Sequence, residues 1–301
     1  MKICLGTASF GMNYGIKGNK KPAVSEVLSL LESAVFECGV DCFDTATAYG
    51  EAESVLGAFF ESFPSCKNTV SVISKLAPDA LLGIHESEYP MIIRRSVEHT
   101  LSRLKLDSLD GYLLHNPAHA SNLNITDSLW SLKNLGLVKR VGVSCYKPKE
   151  ALLAAESSYI DDIQVPFNAI DHRLLTKGFF DRSYDSRGCK RIFARSAFLQ
   201  GLLLMEKIPD KMLFAKETVE RFQCIASRFK LSYNEACLMF VSSIPQIDYM
   251  VLGIETINEL RLNIRALQLP PESAFIAECR AAFSSVDERI LMPNLWHTQE
   301  G

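Results

Sequence analysis

Three short apolar runs in the chain end on side chains that handle protons or charge: CFD on Asp44, VISK on Lys75 and YLLH on His115. A fourth such group, the Tyr49 phenol, follows five residues after Asp44 in the segment FDTATAYGEAE. An acid, a cation, an imidazole and a phenol can together polarise and protonate an oxygen. A phenol with its ordinary pKa of about 10 is a poor acid at neutral pH, but a neighbouring ammonium stabilises the phenolate and lowers that pKa. A carboxylate beside the lysine keeps it charged in a pocket, and a histidine can hydrogen-bond a substrate oxygen. The expectation is that Asp44 holds Lys75, that the small residues of TATA let a ligand approach, and that Tyr49 projects its hydroxyl as proton donor.

Each residue also has an ordinary reading. A lysine after a strand is commonly a solvated loop residue, and a lone histidine a satisfied core or surface group. Equivalent places on successive strands favour the joint reading. Asp44 would cap a helix only if one began at once, whereas helical spacing starts nearer Glu51. His115 and His119 in HNPAH have metal-ligand spacing only on a helix, and Pro117 argues against a helix there, so no metal is expected.

The elements that must position these groups alternate. Apolar runs (KICLG, DCFD, VSVISK, GYLLH, VKRVGVS, DDIQV, RIFARS, DYMVLG) are separated by stretches of helical period. These stretches cover 25–38, 51–60, 91–104, 126–135, 147–155, 172–186, 211–243 and 256–267. No linker divides them. The simplest architecture is one α/β domain over 1–301, a closed (β/α)8 TIM barrel with an extra helix near 272–283 and an irregular tail. The runner-up, an open doubly wound sheet, would carry a glycine-rich dinucleotide fingerprint, and the glycines at 6, 11, 15 and 18 do not form one. No Walker motif occurs, and GVSCY lacks the second glycine of a nucleophile elbow. A barrel places its site at the carboxyl ends of its strands, which here are Thr7, Asp44, Lys75, His115, Ser144, Gln164, Arg195 and Gly253.

Composition narrows the partners. A net charge of -3 over 301 residues gives no general attraction to nucleic acid or anionic lipid, so a small molecule is the expected partner. Nine scattered cysteines without a Cys-x-x-Cys suit reduced thiols in the cytoplasm. The opening MKICLGTASFGM is short and interrupted by Gly6 and Gly11, which suits a first strand better than a signal peptide, and no apolar run approaches the ~20 residues that span a bilayer.

Over essentially its whole length the chain resembles the aldo-keto reductase superfamily, in a bacterial-type form. The segments that carry the resemblance are LGTASFG, DTATAYG, ISK, LLHNP, KRVGVS, QVPFN, ARSAFLQGLLL and VLGIETINELRLN. The resemblance implies a catalytic tetrad of Asp44, Tyr49, Lys75 and His115 that reduces an aldehyde or ketone, or runs in reverse. A sugar or sugar-derived carbonyl is among the implied substrates. It implies an extended nicotinamide dinucleotide, NADP(H) by family preference with NAD(H) as the alternative. Its contacts would be Thr7, Asp44, Ser144, Gln164, Arg195, Ser196, Phe198, Gln200, Gly253 and Asn263. Cys145 stands where many relatives carry asparagine, and Arg195 where many stack an aromatic ring on the nicotinamide. Glu255 and Glu259 lie near the adenosine segment, with Arg261 and Arg265 as its cations. Extended loops after the first and fourth strands and the tail make Tyr14, Asn116 and Trp296 candidate substrate contacts. A monomer or small homo-oligomer is expected. The alternative function is a cofactor-binding regulatory or sensor subunit with little turnover.

Overall fold

The structure is a computed structural model, and it describes residues 1–16, 20–181 and 190–296. Eight parallel strands close into a barrel: β1 (Lys2–Gly6), β2 (Cys42–Asp44), β3 (Ser71–Leu76), β4 (Gly111–Leu114), β5 (Val141–Ser144), β6 (Asp162–Pro166), β7 (Arg191–Arg195) and β8 (Tyr249–Gly253). Each pairs with the next in sequence, and β1 returns to β8 with Gly6 opposite Gly253. Closure leaves no edge strand. The strands read as continuous apolar runs because one face meets helices while the other fills the barrel.

Around the barrel lie α1 (Ala8–Gly11), α2 (Val24–Phe36), α3 (Ala52–Ser62), α4 (Tyr89–Leu104), α5 (Leu123–Asn134), α6 (Pro148–Glu156), α7 (Arg173–Thr176), α8 (Lys216–Arg228), α9 (Tyr233–Ser242) and α10 (Ile257–Leu267). α11 (Ser273–Ala282) is the extra helix expected near 272–283, and the short α12 (Glu288–Leu291) leads into the tail. Helical spacing puts Val27, Leu30, Leu31 and Ala34 of α2, and Ile93, Val97, Leu101 and Leu104 of α4, on buried faces. No helix among the described residues is long and apolar enough to cross a membrane.

Two local expectations are corrected. The stretch 211–243 is a 3-10 turn, Asp210–Ala215, followed by two helices. Lys230 is left-handed (φ 57°), and Ser232 with Glu235 forms a capping box that starts α9 afresh. The stretch 172–186 opens with the single-turn α7, after which Gly178 takes φ 67°; residues 182–186 lie outside the described residues. Pro117 opens a short 3-10 turn, Pro117–Ser121, that begins after His115, so His115 and His119 do not share a helix, as expected.

Every second residue of a strand points into the barrel, and these side chains stack in tiers. At the amino-terminal end the buried Asp162 carboxylate accepts from Arg140 Nε at 2.7 Å and from Arg191 Nε and Nη2 at 2.9 and 2.7 Å. Above it Cys4, Cys42, Ile73, Leu113 and Phe193 form an apolar tier of their own. Gly142 makes room for both tiers: a Cβ there would stand 2.6 Å from the Asp162 carbonyl oxygen and 2.9 Å from Leu113 Cγ. The polar carboxyl-terminal tier rests on this apolar floor.

Candidate active site

Lys75 is fully buried, and its position follows from β2 and β3 being neighbours in the sheet. Its Nζ lies 2.8 and 2.7 Å from the two Asp44 carboxylate oxygens, 2.9 Å from the Thr45 carbonyl and 3.5 Å from the Tyr49 hydroxyl. Gln164, on the far side of the barrel, donates its amide to Asp44 Oδ1 at 2.7 Å and meets the Ser144 hydroxyl at 3.4 Å. Thr7 is buried and directs both its N–H and its hydroxyl, each at 3.0 Å, to the Asp44 carbonyl. Its donors therefore serve Asp44 rather than an open surface. Burial alone would lower the Lys75 pKa, but the charge of Asp44, with Tyr49, overcomes this and raises it.

Tyr49 sits on a turn clamped by backbone. A Cβ on Gly11 would lie 1.8 Å from the Tyr49 carbonyl oxygen and 2.4 Å from the Ala52 nitrogen. Gly50, at φ 57°, faces the Gly11 carbonyl oxygen, which a Cβ there would meet at 2.5 Å. Only glycine allows this approach. Behind the turn Glu53, buried at the start of α3, accepts from Ser74 Oγ at 2.6 Å, Thr100 Oγ1 at 3.1 Å and Arg103 Nε at 2.8 Å. The element carrying Tyr49 is thereby bound to the strand carrying Lys75. Sequence reasoning missed Glu53; the available signal was an acid in register with Leu56, Gly57 and Phe60 on the buried face of an amphipathic helix.

His115 follows β4, its ring edge-on to Tyr49 with centroids 6.1 Å apart. Desolvation, with Lys75 and Arg195 adding to it, pushes its pKa down to about 3, so the imidazole is neutral at pH 7. Its Nδ1 is buried without a hydrogen-bond partner. An orphaned acceptor is more readily tolerated than an orphaned N–H, which assigns the proton to Nε2, where it can be donated to a ligand. The Tyr49 expectation is corrected in sign: desolvation raises its pKa, and the opposing pull of Lys75 does not overcome it. The resting phenol therefore keeps its proton.

Next to the tetrad, Arg195 donates to the Cys145 carbonyl at 2.9 Å and to Ser196 Oγ at 3.2 Å, and lies over the Tyr146 ring at 4.7 Å. In the following loop Ser196, Leu199 and Gln200 all take positive φ, at 63°, 48° and 53°. Such non-glycine strain persists only where its surroundings impose it. Asn168 does so by donating to the Ser196 carbonyl at 3.1 Å, and Phe198 packs inward against the core. The N–H groups of Ala197, Phe198 and Gln200 have no hydrogen-bond partner among the described residues. Gly253 borders open space at the barrel mouth, while Asn263 is buried on α10.

The three candidate substrate contacts separate. Tyr14 is 40% exposed, yet its phenol interacts electrostatically with Tyr49, Arg195, Lys75 and Asp44, which places it over the site. Asn116 follows His115 but uses its Oδ1 to cap the 3-10 turn, accepting from Ala118 N at 3.1 Å. Trp296 donates its indole N–H to the Arg289 carbonyl at 3.0 Å, and among the described residues no hydrogen bond or ring contact joins it to the tetrad. The 650 Å³ groove bounded by Glu86, Arg94, Asn124 and Leu135 lies between α4 and α5, outside the barrel, and holds none of these groups.

Two outcomes follow from this electrostatic arrangement. Lys75→Met should abolish activity and, by leaving the buried Asp44 carboxylate without its cation, cost about 3 kcal/mol of stability in urea unfolding; an unchanged midpoint would show the pair to be solvated. His115 has a folded-state pKa below its unfolded value. The unfolded chain therefore takes up this proton first, and stability falls as pH drops from about 6.5 toward about 3. His115→Phe should flatten that part of the stability profile, read by urea titration at several pH values.

Residues 2–283 match the family model described as the Aldo/keto reductase family. The chain is 25% identical over 282 residues to an uncharacterized oxidoreductase of Bacillus subtilis, YqkF, covering 85% of this chain and 84% of that one. Identity to the NADH-specific methylglyoxal reductase of Escherichia coli is 20% over 300 residues, covering 89% and 90% of the two chains. Among solved structures, an aldo-keto reductase of Bacillus halodurans in its holo form superposes with a TM-score of 0.76 at 17% identity, covering 93% and 91%. A family match over nearly the whole length, on a barrel of the same fold, means that this chain belongs to the aldo/keto reductase family.

Proposed function

We propose that the chain reduces an aldehyde or ketone, sugar-derived carbonyls included, with a nicotinamide dinucleotide as hydride source and Tyr49 as proton donor, the reverse reaction oxidising the alcohol. The observation that carries this reading is the fully buried Lys75 ammonium, held by both Asp44 oxygens and 3.5 Å from the Tyr49 hydroxyl. When bound, the reduced nicotinamide supplies the hydride. The Tyr49 hydroxyl gives its proton to the carbonyl oxygen, and the His115 Nε2–H donates to that oxygen and orients it. Lys75 stabilises the phenolate left behind, and Asp44 keeps Lys75 cationic. A resting phenol that retains its proton suits the reductive direction.

The residues present fit such a cofactor. The Ser144 hydroxyl and the Gln164 carbonyl oxygen, joined by a long 3.4 Å contact, can exchange it for a carboxamide. The unpartnered N–H groups of the 196–200 loop suit a pyrophosphate. At the adenosine end Arg261 donates to Glu37 at 2.6 Å, and the Glu259 carboxylate is occupied in the α10 capping box. Arg265, exposed one turn on, has no ion-pair partner among the described residues and is the cation open to a 2′-phosphate. This supports NADP(H); the name of the Escherichia coli relative marks NAD(H) as the alternative.

Tyr49→Phe should retain the fold and cofactor affinity while losing ~10²–10⁴-fold in carbonyl reduction, assayed with a panel of aldehydes, ketones and aldoses. Activity within about threefold of wild type would contradict a general-acid role of that size. Arg265→Ala should weaken NADPH by roughly tenfold and leave NADH unchanged, because a charge-assisted phosphate contact is lost only with the phosphorylated cofactor. Arg261→Ala should have the smaller effect. Calorimetric titration of both cofactors decides it, and a wild-type preference for NADH would overturn the NADP(H) assignment.

A further inference from the structure

The positive charges beside the tetrad are not balanced. Lys75 is paired with Asp44, but among the described residues Arg195 bonds only to the neutral Cys145 carbonyl and Ser196 hydroxyl, with one face covered by Tyr146. The nearby Glu150 accepts from the Tyr146 and Lys147 N–H groups at the start of α6, and among the described residues it makes no ion pair with Arg195. His115 is neutral, and Tyr49 and Tyr14 are phenols with raised pKa. Among the described residues, the charges that act on Tyr49 and His115 are the cations Lys75 and Arg195 and the carboxylate Asp44, whereas the charge of Glu150 acts on Cys145 behind them. Arg195 lies close enough to Tyr49 and His115 to act on both electrostatically. Hydride transfer needs the nicotinamide carbon within about 3–3.5 Å of a carbonyl carbon held between those two residues, which brings the ring into the field of Arg195.

We propose that Arg195 is a specificity-determining residue that makes this site select reduced over oxidised nicotinamide. The proposal rests on the nicotinamide reading above and deepens it. The dihydropyridine ring is neutral, so the flat guanidinium can lie against it without a charge conflict. The pyridinium ring left after hydride departure carries a positive charge, and in a partly dry site it is repelled by a guanidinium that has no carboxylate in ion-pair contact. An aromatic side chain at this position would lack that repulsion. The spent cofactor is consequently bound weakly and released readily, which biases the enzyme toward carbonyl reduction through product release.

The test is calorimetric titration of the full chain with NADPH, NADP⁺, NADH and NAD⁺ for wild type, Arg195→Gln and Arg195→Lys, with circular dichroism confirming folding. Wild type should bind the oxidised form of its preferred cofactor at least tenfold more weakly than the reduced form. Arg195→Gln should narrow that ratio by about tenfold, equivalent to about 1.4 kcal/mol, chiefly by tightening the oxidised form. Arg195→Lys, which keeps the charge, should preserve the ratio. An unchanged ratio in Arg195→Gln, or equal weakening of both forms, overturns the proposal while leaving the nicotinamide reading intact. Failure of wild type to bind any of the four overturns the nicotinamide reading itself.

Discussion

The buried ion pair between Lys75 and Asp44 is the constraint around which the carboxyl-terminal half of the barrel is arranged. An ammonium removed entirely from water is costly unless its protons and charge are met at short range. Here they are met by two carboxylate oxygens, the Thr45 carbonyl and the Tyr49 hydroxyl. The carboxylate is steadied in turn by Gln164 from the opposite wall, and its backbone carbonyl by Thr7 from the neighbouring strand. Residues from β2, β3 and β6, together with the residue following β1, thus converge on one charge pair. The phenol that completes the set acquires in Lys75 a stabilising cation at hydrogen-bond range.

Below this pair the interior separates stability from chemistry. The apolar tier of Cys4, Cys42, Ile73, Leu113 and Phe193 keeps water from reaching the pair from beneath. The Asp162 cluster, with its two arginines, ties β5, β6 and β7 together at the opposite end. A barrel can vary its carboxyl-terminal loops without disturbing such a base. Gly57 serves the outer layer in the same spirit: a Cβ there would lie 2.0 Å from the Arg103 carbonyl oxygen, so α3 packs directly on the end of α4.

Precision at the site comes from backbone contacts as much as from side chains. The mutual approach of Gly11 and Gly50 fixes the turn bearing Tyr49, and the Glu53 network joins that turn to β3 and α4. Across the mouth the left-handed residues 196, 199 and 200 are held by Asn168 and by inward packing, which leaves N–H groups unpaired that a relaxed loop would pair internally. The first and seventh loops come close over the site, where a Cβ on Gly15 would stand 3.8 Å from the Gln200 carbonyl oxygen.

Much of this was legible in the sequence because it depends on period and on chemical type. Alternating strand and helix periods give the eight units and their order, and the residue ending each apolar run gives the floor of the site. Asp44, Tyr49, Lys75 and His115 were identifiable because charge and hydrogen-bonding capacity at strand ends belong to local sequence. The interrupted helix over 211–243 was misread because apolar spacing persists through a left-handed residue that only the folded backbone reveals. The sign of the Tyr49 shift was likewise beyond the sequence, since it depends on how much water the surrounding fold removes compared with how closely Lys75 approaches. Contacts such as Gln164 with Asp44, 120 residues apart, and the capture of Arg261 by Glu37 across 224 residues arise only when the chain closes on itself. The sequence by itself determined which chemical groups were available and roughly where along the barrel they stand. Only the tertiary structure decided which charges are neutralised and which remain open, because desolvation and Coulomb energy depend on distances through space.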